Sequence, residues 1–118
     1  LVVSGAFHSP IMNPAAVKLA ADLAEVEFRT PRIPVVSNVT AEPVTDPASI
    51  RDLLARQVVS PVRWADSIEV MRGLGVTTFL EPGPGKVLGT LLKKIDRDLT
   101  AVSATTREEV ESFQPDFD

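Results

Sequence analysis

The sequence contains a single histidine, His8, in the segment GAFHSPIM. It follows an apolar run that predicts a strand over residues 1–4, and it lies in a loop before a helical pattern. Open α/β sheets usually place their chemistry just past the carboxyl end of a strand. Because imidazole binds and releases a proton near neutral pH, His8 is a candidate general base. The alternative is a histidine bonded only to backbone groups or solvent, and position alone does not separate the two.

The sequence offers no evident nucleophile for such a base. Cysteine is absent, and none of the eight serines lies in G-x-S-x-G, the turn that exposes a hydroxyl above an α/β sheet. With no cysteine and one histidine, disulfides and thiolate or imidazole metal clusters are excluded. Only carboxylate metal sites would remain, and we predict no cofactor. Cysteine usage fits a cytoplasmic protein.

A glutamine, Gln57, falls on the apolar face of a predicted helix, one turn after Leu53 and Leu54. A buried polar group must find a partner or cost about 1–3 kcal/mol. A carbonyl group at the C-terminus of this helix could accept the Nδ1 proton of a histidine and fix its tautomer. The alternative is a glutamine at a helix end, half in water.

The segment EPGPGK, residues 81–86, places glycines and a lysine before another helical pattern. Exposed N–H groups at a helix N-terminus attract anions, so a phosphate loop is one interpretation. The spacing matches neither G-x-x-x-x-G-K-[ST] nor G-x-G-x-x-G, and Pro84 removes a donor. A tight turn from strand to helix is therefore the favoured interpretation.

Composition limits the partners of the chain. Its 118 residues and 44% hydrophobic content predict one globular domain or part of one. The net charge of -4 disfavours nucleic acid and anionic membranes as partners. No apolar run approaches the roughly 18 residues that span a bilayer. Because the chain opens on Leu1 and runs straight into a predicted strand, we expect it to be a piece that starts within a longer protein.

Strands and helices alternate along the chain, which predicts an α/β fold with a mainly parallel sheet flanked by helices. The predicted strands cover residues 1–4, 33–37, 76–80 and 99–103. Helix starts are predicted at three polar-residue–proline pairs, Asn13-Pro14, Asp46-Pro47 and Ser60-Pro61. A core-packing first helix, a helix after PGPG with an unbroken apolar stripe, and a short helix in TTREEVESF are also predicted, and QPDFD is predicted to be a frayed end.

Four segments appear in one order: SGAFHSPIM, IPVVSNVTAEPVTD, LLARQVVSPVRW and FLEPGPGKVLGTLLKKI. Together they resemble the C-terminal portion of the malonyl-CoA:acyl-carrier-protein transacylases. They are also similar to the acyltransferase domains of polyketide and multifunctional fatty-acid synthases. The resemblance covers the chain up to about Ser103.

The resemblance implies roles for three residues. His8 matches the catalytic histidine that deprotonates a serine and later a pantetheine thiol. Gln57 matches the residue whose backbone carbonyl orients that histidine. Phe7 matches a substrate-binding position where a bulky aromatic goes with unbranched malonyl, since a ring leaves no room for an α-methyl group.

The resemblance also implies an organisation and a function. Residues 1–5 would be the last strand of a small ferredoxin-like subdomain, and residues 6–118 the C-terminal part of a large hydrolase-like subdomain. The whole enzyme would move malonyl from coenzyme A to acyl carrier protein in fatty-acid synthesis, by a Ser-His two-step mechanism. The family's G-H-S-x-G serine, its N-terminal oxyanion glutamine and the arginine for the malonyl carboxylate are absent from these 118 residues.

The 118 residues alone are therefore expected to be inactive and, with apolar surface and strand edges exposed, to self-associate. Two alternatives stay open at this point. One is a stand-alone α/β anion-binding or regulatory module. The other is a piece of a polyketide synthase acyltransferase domain.

Overall fold

The structure is a computed structural model that describes residues 5–113. The predicted strand over residues 1–4 and the predicted frayed end over residues 114–118 lie outside the described residues. The chain divides into two compact units, Leu1–Met71 and Arg72–Asp118. We describe each unit by itself.

The first unit contains helices and one hairpin. A 3₁₀ turn over Pro10–Met12 leads into α1 (Asn13–Ala24), followed by β1 (Val35–Ser37), β2 (Glu42–Val44) and α2 (Pro47–Gln57). Helix α3 (Trp64–Gly73) begins in this unit and ends just past its boundary. Helices α1 and α2 pack against each other.

The second unit is a parallel strand pair with helices. Its elements are β3 (Thr78–Pro82), α4 (Val87–Ile95), β4 (Thr100–Ala104) and α5 (Arg107–Ser112). Strand β3 pairs with β4 in parallel, with Thr78 opposite Thr100. Helix α4 packs on both strands, and Leu92, Leu99 and Ala104 are buried. The strand–helix–strand order confirms the predicted α/β class.

The hairpin of β1 and β2 was not predicted. The two strands are antiparallel, with Val36 opposite Pro43, and Ala41 takes a left-handed φ of 57° in the connecting loop. In residues 5–113 the parallel pairing is confined to β3 and β4, so the expected mainly parallel sheet appears there as one pair.

Helix starts follow the sequence signals only in part. The Asp46 carboxylate accepts a bond from the Ser49 N–H at 2.8 Å, which confirms the predicted cap of α2. The prediction of Asn13 as a cap is wrong, because a 3₁₀ turn precedes α1 and Asn13 is already helical. Ser60 as the cap of α3 is also wrong, since α3 begins at Trp64 and the Ser60 hydroxyl turns back to the Arg56 carbonyl.

The predicted apolar stripes are buried less than expected. No residue of α1 is buried, although Leu19 and Leu23 of its stripe are partly covered. In α4, Leu92 is buried, but Val87 is 55% and Leu88 45% exposed, so the stripe predicted as unbroken is open at its first turn. Two strands cover only part of a helix face. Within residues 5–113, no helix is long and apolar enough to cross a bilayer.

Candidate active site

The imidazole of His8 meets the C-terminal end of α2. Its Nδ1 lies 2.9 Å from the main-chain oxygen of Gln57, the last residue of that helix. The last carbonyls of a helix have no intrahelical partner, and this oxygen, which accepts from the Ser60 N–H at 3.2 Å, can accept a second bond. A neutral ring that donates its Nδ1 proton here keeps a lone pair on Nε2. The arrangement can therefore accept a proton at Nε2 while the carbonyl holds the ring in place.

The side chain of Gln57 approaches the same nitrogen. Its amide nitrogen lies 3.3 Å from Nδ1 of His8 and 3.2 Å from the Ser60 carbonyl oxygen, to which it donates. A single Nδ1 either donates to the Gln57 carbonyl or accepts from the amide. The shorter contact and the alternative partner of the amide favour the first arrangement, in which Nδ1 carries the proton.

The backbone at His8 is in an unusual conformation. Its φ is 57°, in the left-handed region that favours glycine, and the neighbouring Ser9 hydroxyl donates to the Ala6 carbonyl at 2.6 Å. Such a conformation costs a non-glycine residue about 1–3 kcal/mol and persists where its surroundings fix it. Sequence reasoning places His8 in a loop but gives no signal for this turn.

Phe7 precedes the histidine and is 59% exposed. Its ring covers Gly5, where an added Cβ would lie 2.8 Å from Cε2 of the ring. Glycine at position 5 therefore lets the aromatic side chain fold back over the backbone. The role of Phe7 as a wall of a substrate site stays a prediction, as do the catalytic roles of His8 and Gln57.

An apolar cavity of about 180 Å³ lies beside Gln57 in the first unit. Its lining comes from the hairpin and α2, including Val35, Val44, Ile50 and Leu53. Sequence reasoning missed this cavity because it lies where the unpredicted hairpin of β1 and β2 faces α2. The cavity places mainly apolar side chains next to Gln57.

The EPGPGK segment forms a turn whose anion position is already filled. The Glu81 carboxylate accepts bonds from the N–H groups of Leu88 at 3.0 Å and Gly89 at 2.9 Å, at the N-terminus of α4. The Gly89 and Leu88 bonds hold the pKa of Glu81 below its usual value. Gly83 and Gly85 have φ values of 124° and 104°, which explains glycine at both positions. A phosphate would have to displace this carboxylate.

Metal ligands are not assembled in the described part of the chain. Residues 5–113 contain no group of three or more His, Asp or Glu side chains that could hold an ion.

Comparison with known proteins identifies relatives over nearly the whole chain. No family model matches. The malonyl CoA-acyl carrier protein transacylase of Bacillus subtilis (strain 168) is 45% identical over 111 residues, which cover 94% of this chain and 35% of that relative. A crystal structure of an acyl carrier protein S-malonyltransferase from Vibrio cholerae is similar with a TM-score of 0.86 and 44% identity, covering 97% of this chain and 37% of that one.

A second similar structure is a type II polyketide synthase acyl-carrier protein in complex with its malonyl-transacylase. Its TM-score is 0.84 and its identity 39%, over 95% of this chain and 36% of the other. The chain thus spans about a third of the length of the relatives it matches. In sequence and in fold, it is homologous over that third to the malonyl CoA-acyl carrier protein transacylases.

Proposed function

We propose that this chain supplies the general base of a malonyl CoA-acyl carrier protein transacylase. The observation that carries the proposal is the 2.9 Å contact between Nδ1 of His8 and the Gln57 carbonyl, which leaves Nε2 free to take a proton. The reaction is that of the relatives, the transfer of malonyl from coenzyme A to acyl carrier protein.

In the first step, a serine hydroxyl from a segment that these 118 residues do not contain gives its proton to Nε2 of His8. The serine oxygen attacks the malonyl thioester carbonyl, and the Gln57 carbonyl accepts the Nδ1–H of the imidazolium. The carbon–sulfur bond breaks, and the departing coenzyme A sulfur takes the proton from Nε2. The result is a malonyl ester on the serine and free coenzyme A.

In the second step, the pantetheine thiol of acyl carrier protein gives its proton to Nε2 of His8. The sulfur attacks the serine ester, and the serine oxygen leaves and recovers the proton. The similar complex of a malonyl-transacylase with its acyl-carrier protein supports a carrier protein as this acceptor. Phe7 would restrict the acyl group to unbranched malonyl by steric exclusion of an α-methyl group.

The same proposal assigns residues 1–5 to a small ferredoxin-like subdomain and residues 6–118 to a large hydrolase-like one. It is favoured over a stand-alone anion-binding module because Glu81 already occupies the N-terminus of α4. No observation on these residues favours a polyketide synthase piece over a separate transacylase.

A hybrid enzyme tests the proposal. The aligned third of the Bacillus subtilis relative is replaced by this chain, and transfer of malonyl from coenzyme A to acyl carrier protein is measured. His8→Gln is expected to lower the rate by about 10²–10⁴-fold, the usual contribution of a general base. Lys18→Gln, on the exposed face of α1, serves as the control and is expected to leave the rate unchanged.

The outcome that contradicts the role of His8 is a folded His8→Gln hybrid with the rate of the parent hybrid. The 118 residues are also incubated by themselves with labelled malonyl-CoA, and no protein-bound label is expected because the attacking serine is missing. Stable labelling of the chain would show that it carries a nucleophile of its own.

A further inference from the structure

Helix α2 ends in a turn over residues 56–60 in which Ser60 takes part in three hydrogen bonds. The Ser60 hydroxyl donates to the Arg56 carbonyl at 2.8 Å, and the Ser60 N–H donates to the Gln57 carbonyl at 3.2 Å. In return, the Gln57 amide donates to the Ser60 carbonyl at 3.2 Å. Each polar group of Ser60 thus binds the last turn of α2.

The turn fixes the direction of the Gln57 carbonyl group. Pro61 follows directly and has no N–H, so the helix cannot continue and its last carbonyls depend on other groups. A hydrogen bond weakens steeply as its angle departs from linear, so a small rotation of the 57–58 peptide would weaken the bond to Nδ1 of His8. The Ser60 hydroxyl binds the Arg56 carbonyl and the Ser60 N–H binds the Gln57 carbonyl, and both bonds oppose that rotation.

We propose that Ser60 is a positioning residue for His8, acting through Gln57. The inference rests on the proposed function, in which His8 is the base. Ser60 fixes the Gln57 carbonyl as the acceptor of the Nδ1 proton and so keeps the lone pair of the neutral ring on Nε2.

The Ser60 carbonyl contributes to the same end. The Gln57 amide lies 3.3 Å from Nδ1, and a donor at that position stabilises the tautomer that has its proton on Nε2. That tautomer has no lone pair for a serine proton. By accepting from the amide, the Ser60 carbonyl gives one of its two N–H groups a partner other than the ring.

Nitrogen NMR of the imidazole measures the tautomer directly. His8 is the only histidine of the chain, so ¹⁵N-histidine labelling of the 118 residues gives one ring to observe. At a pH that leaves the ring neutral, the wild-type chain is expected to hold the proton mainly on Nδ1. Ser60→Ala should lower the ratio of the Nδ1–H to the Nε2–H tautomer by about two- to twelvefold, the effect of one ordinary hydrogen bond.

Three variants control the measurement. Ser60→Thr keeps the hydroxyl and should restore the ratio, whereas Ser60→Val, close to threonine in volume, should lower it as alanine does. The valine and threonine pair keeps the test valid if the alanine variant does not fold. Ser67→Ala removes the same type of bond, from the Ser67 hydroxyl to the Arg63 carbonyl at 2.8 Å, and should leave the ratio unchanged.

Kinetics of the hybrid enzyme separate this inference from the proposed function. Ser60→Ala is expected to lower kcat and to leave KM for malonyl-CoA unchanged, with recovery in Ser60→Thr. An unchanged tautomer ratio in folded Ser60→Ala and Ser60→Val overturns the positioning role. A changed ratio in Ser60→Ala, together with a folded His8→Gln hybrid that keeps the parent rate, keeps the positioning role and overturns the assignment of His8 as the base.

Discussion

Substituting Gly89 by alanine is expected to destabilise the chain, whereas the same substitution at Gly73 is expected to stabilise it. A Cβ on Gly89 would lie 3.3 Å from the Cβ of Ala101 and 3.4 Å from a carboxylate oxygen of Glu81. The Cβ of Ala101 is fixed to the backbone of β4 and cannot rotate away. At Gly73, the last residue of α3, an added Cβ meets nothing within 4 Å.

The magnitudes follow from two opposing effects. Alanine in a helix gains up to about 1 kcal/mol over glycine, and overpacking a tight contact costs about 1–3 kcal/mol. Gly89→Ala should therefore lower the free energy of unfolding by about 1 kcal/mol, whereas Gly73→Ala should raise it by up to about 1 kcal/mol. Urea unfolding with matched m-values measures both. If Gly89→Ala stabilises as much as Gly73→Ala, the close approach of α4 to β4 is refuted.

Three further predictions concern pH, selectivity and association. The Gly89 N–H helps hold the pKa of Glu81 below its usual 4.5, so the stabilisation by Glu81 is present above that pH and is lost as pH falls through the lower folded-state pKa. Glu81→Gln should weaken the loss of stability below pH 4.5. A pH profile of unfolding free energy equal to that of the wild-type chain would refute this role of the Glu81 carboxylate. In the hybrid, Phe7→Ser should raise the use of methylmalonyl-CoA relative to malonyl-CoA, and an unchanged preference contradicts the steric argument. Exposed apolar side chains such as Ile33 should make the 118 residues self-associate in sedimentation experiments. A monomer with a cooperative thermal unfolding transition would contradict this self-association.

Local chemistry made some elements predictable. Asp46 and Pro47 specify the start of α2 through groups that lie within three residues of each other, so the cap could be read from the sequence. The parallel strands β3 and β4 were predicted to within two residues because each is a run of β-branched and apolar residues. Strand β2 was not predicted from the sequence because it has three residues, one of them Pro43, and forms only by pairing with β1.

The site was predictable in its parts and not in its geometry. The helical phase of Gln57 indicated a polar group in need of a partner, and the resemblance connected it with His8. The two residues are 49 positions apart, and their contact depends on how the loop around His8 turns. Ser60 gave a misleading signal, since a serine before a proline is typical of a helix start, whereas here its hydroxyl closes the preceding helix.

The left-handed backbone of His8 opposes backbone stability to the proposed catalytic role at position 8. Glycine adopts a φ of 57° without steric cost, so His8→Gly would relieve the backbone strain of this turn while it removes the imidazole and its bond to the Gln57 carbonyl. The substitution that removes the strain therefore also removes the proposed base, so backbone stability and catalysis cannot both be improved by placing glycine at position 8.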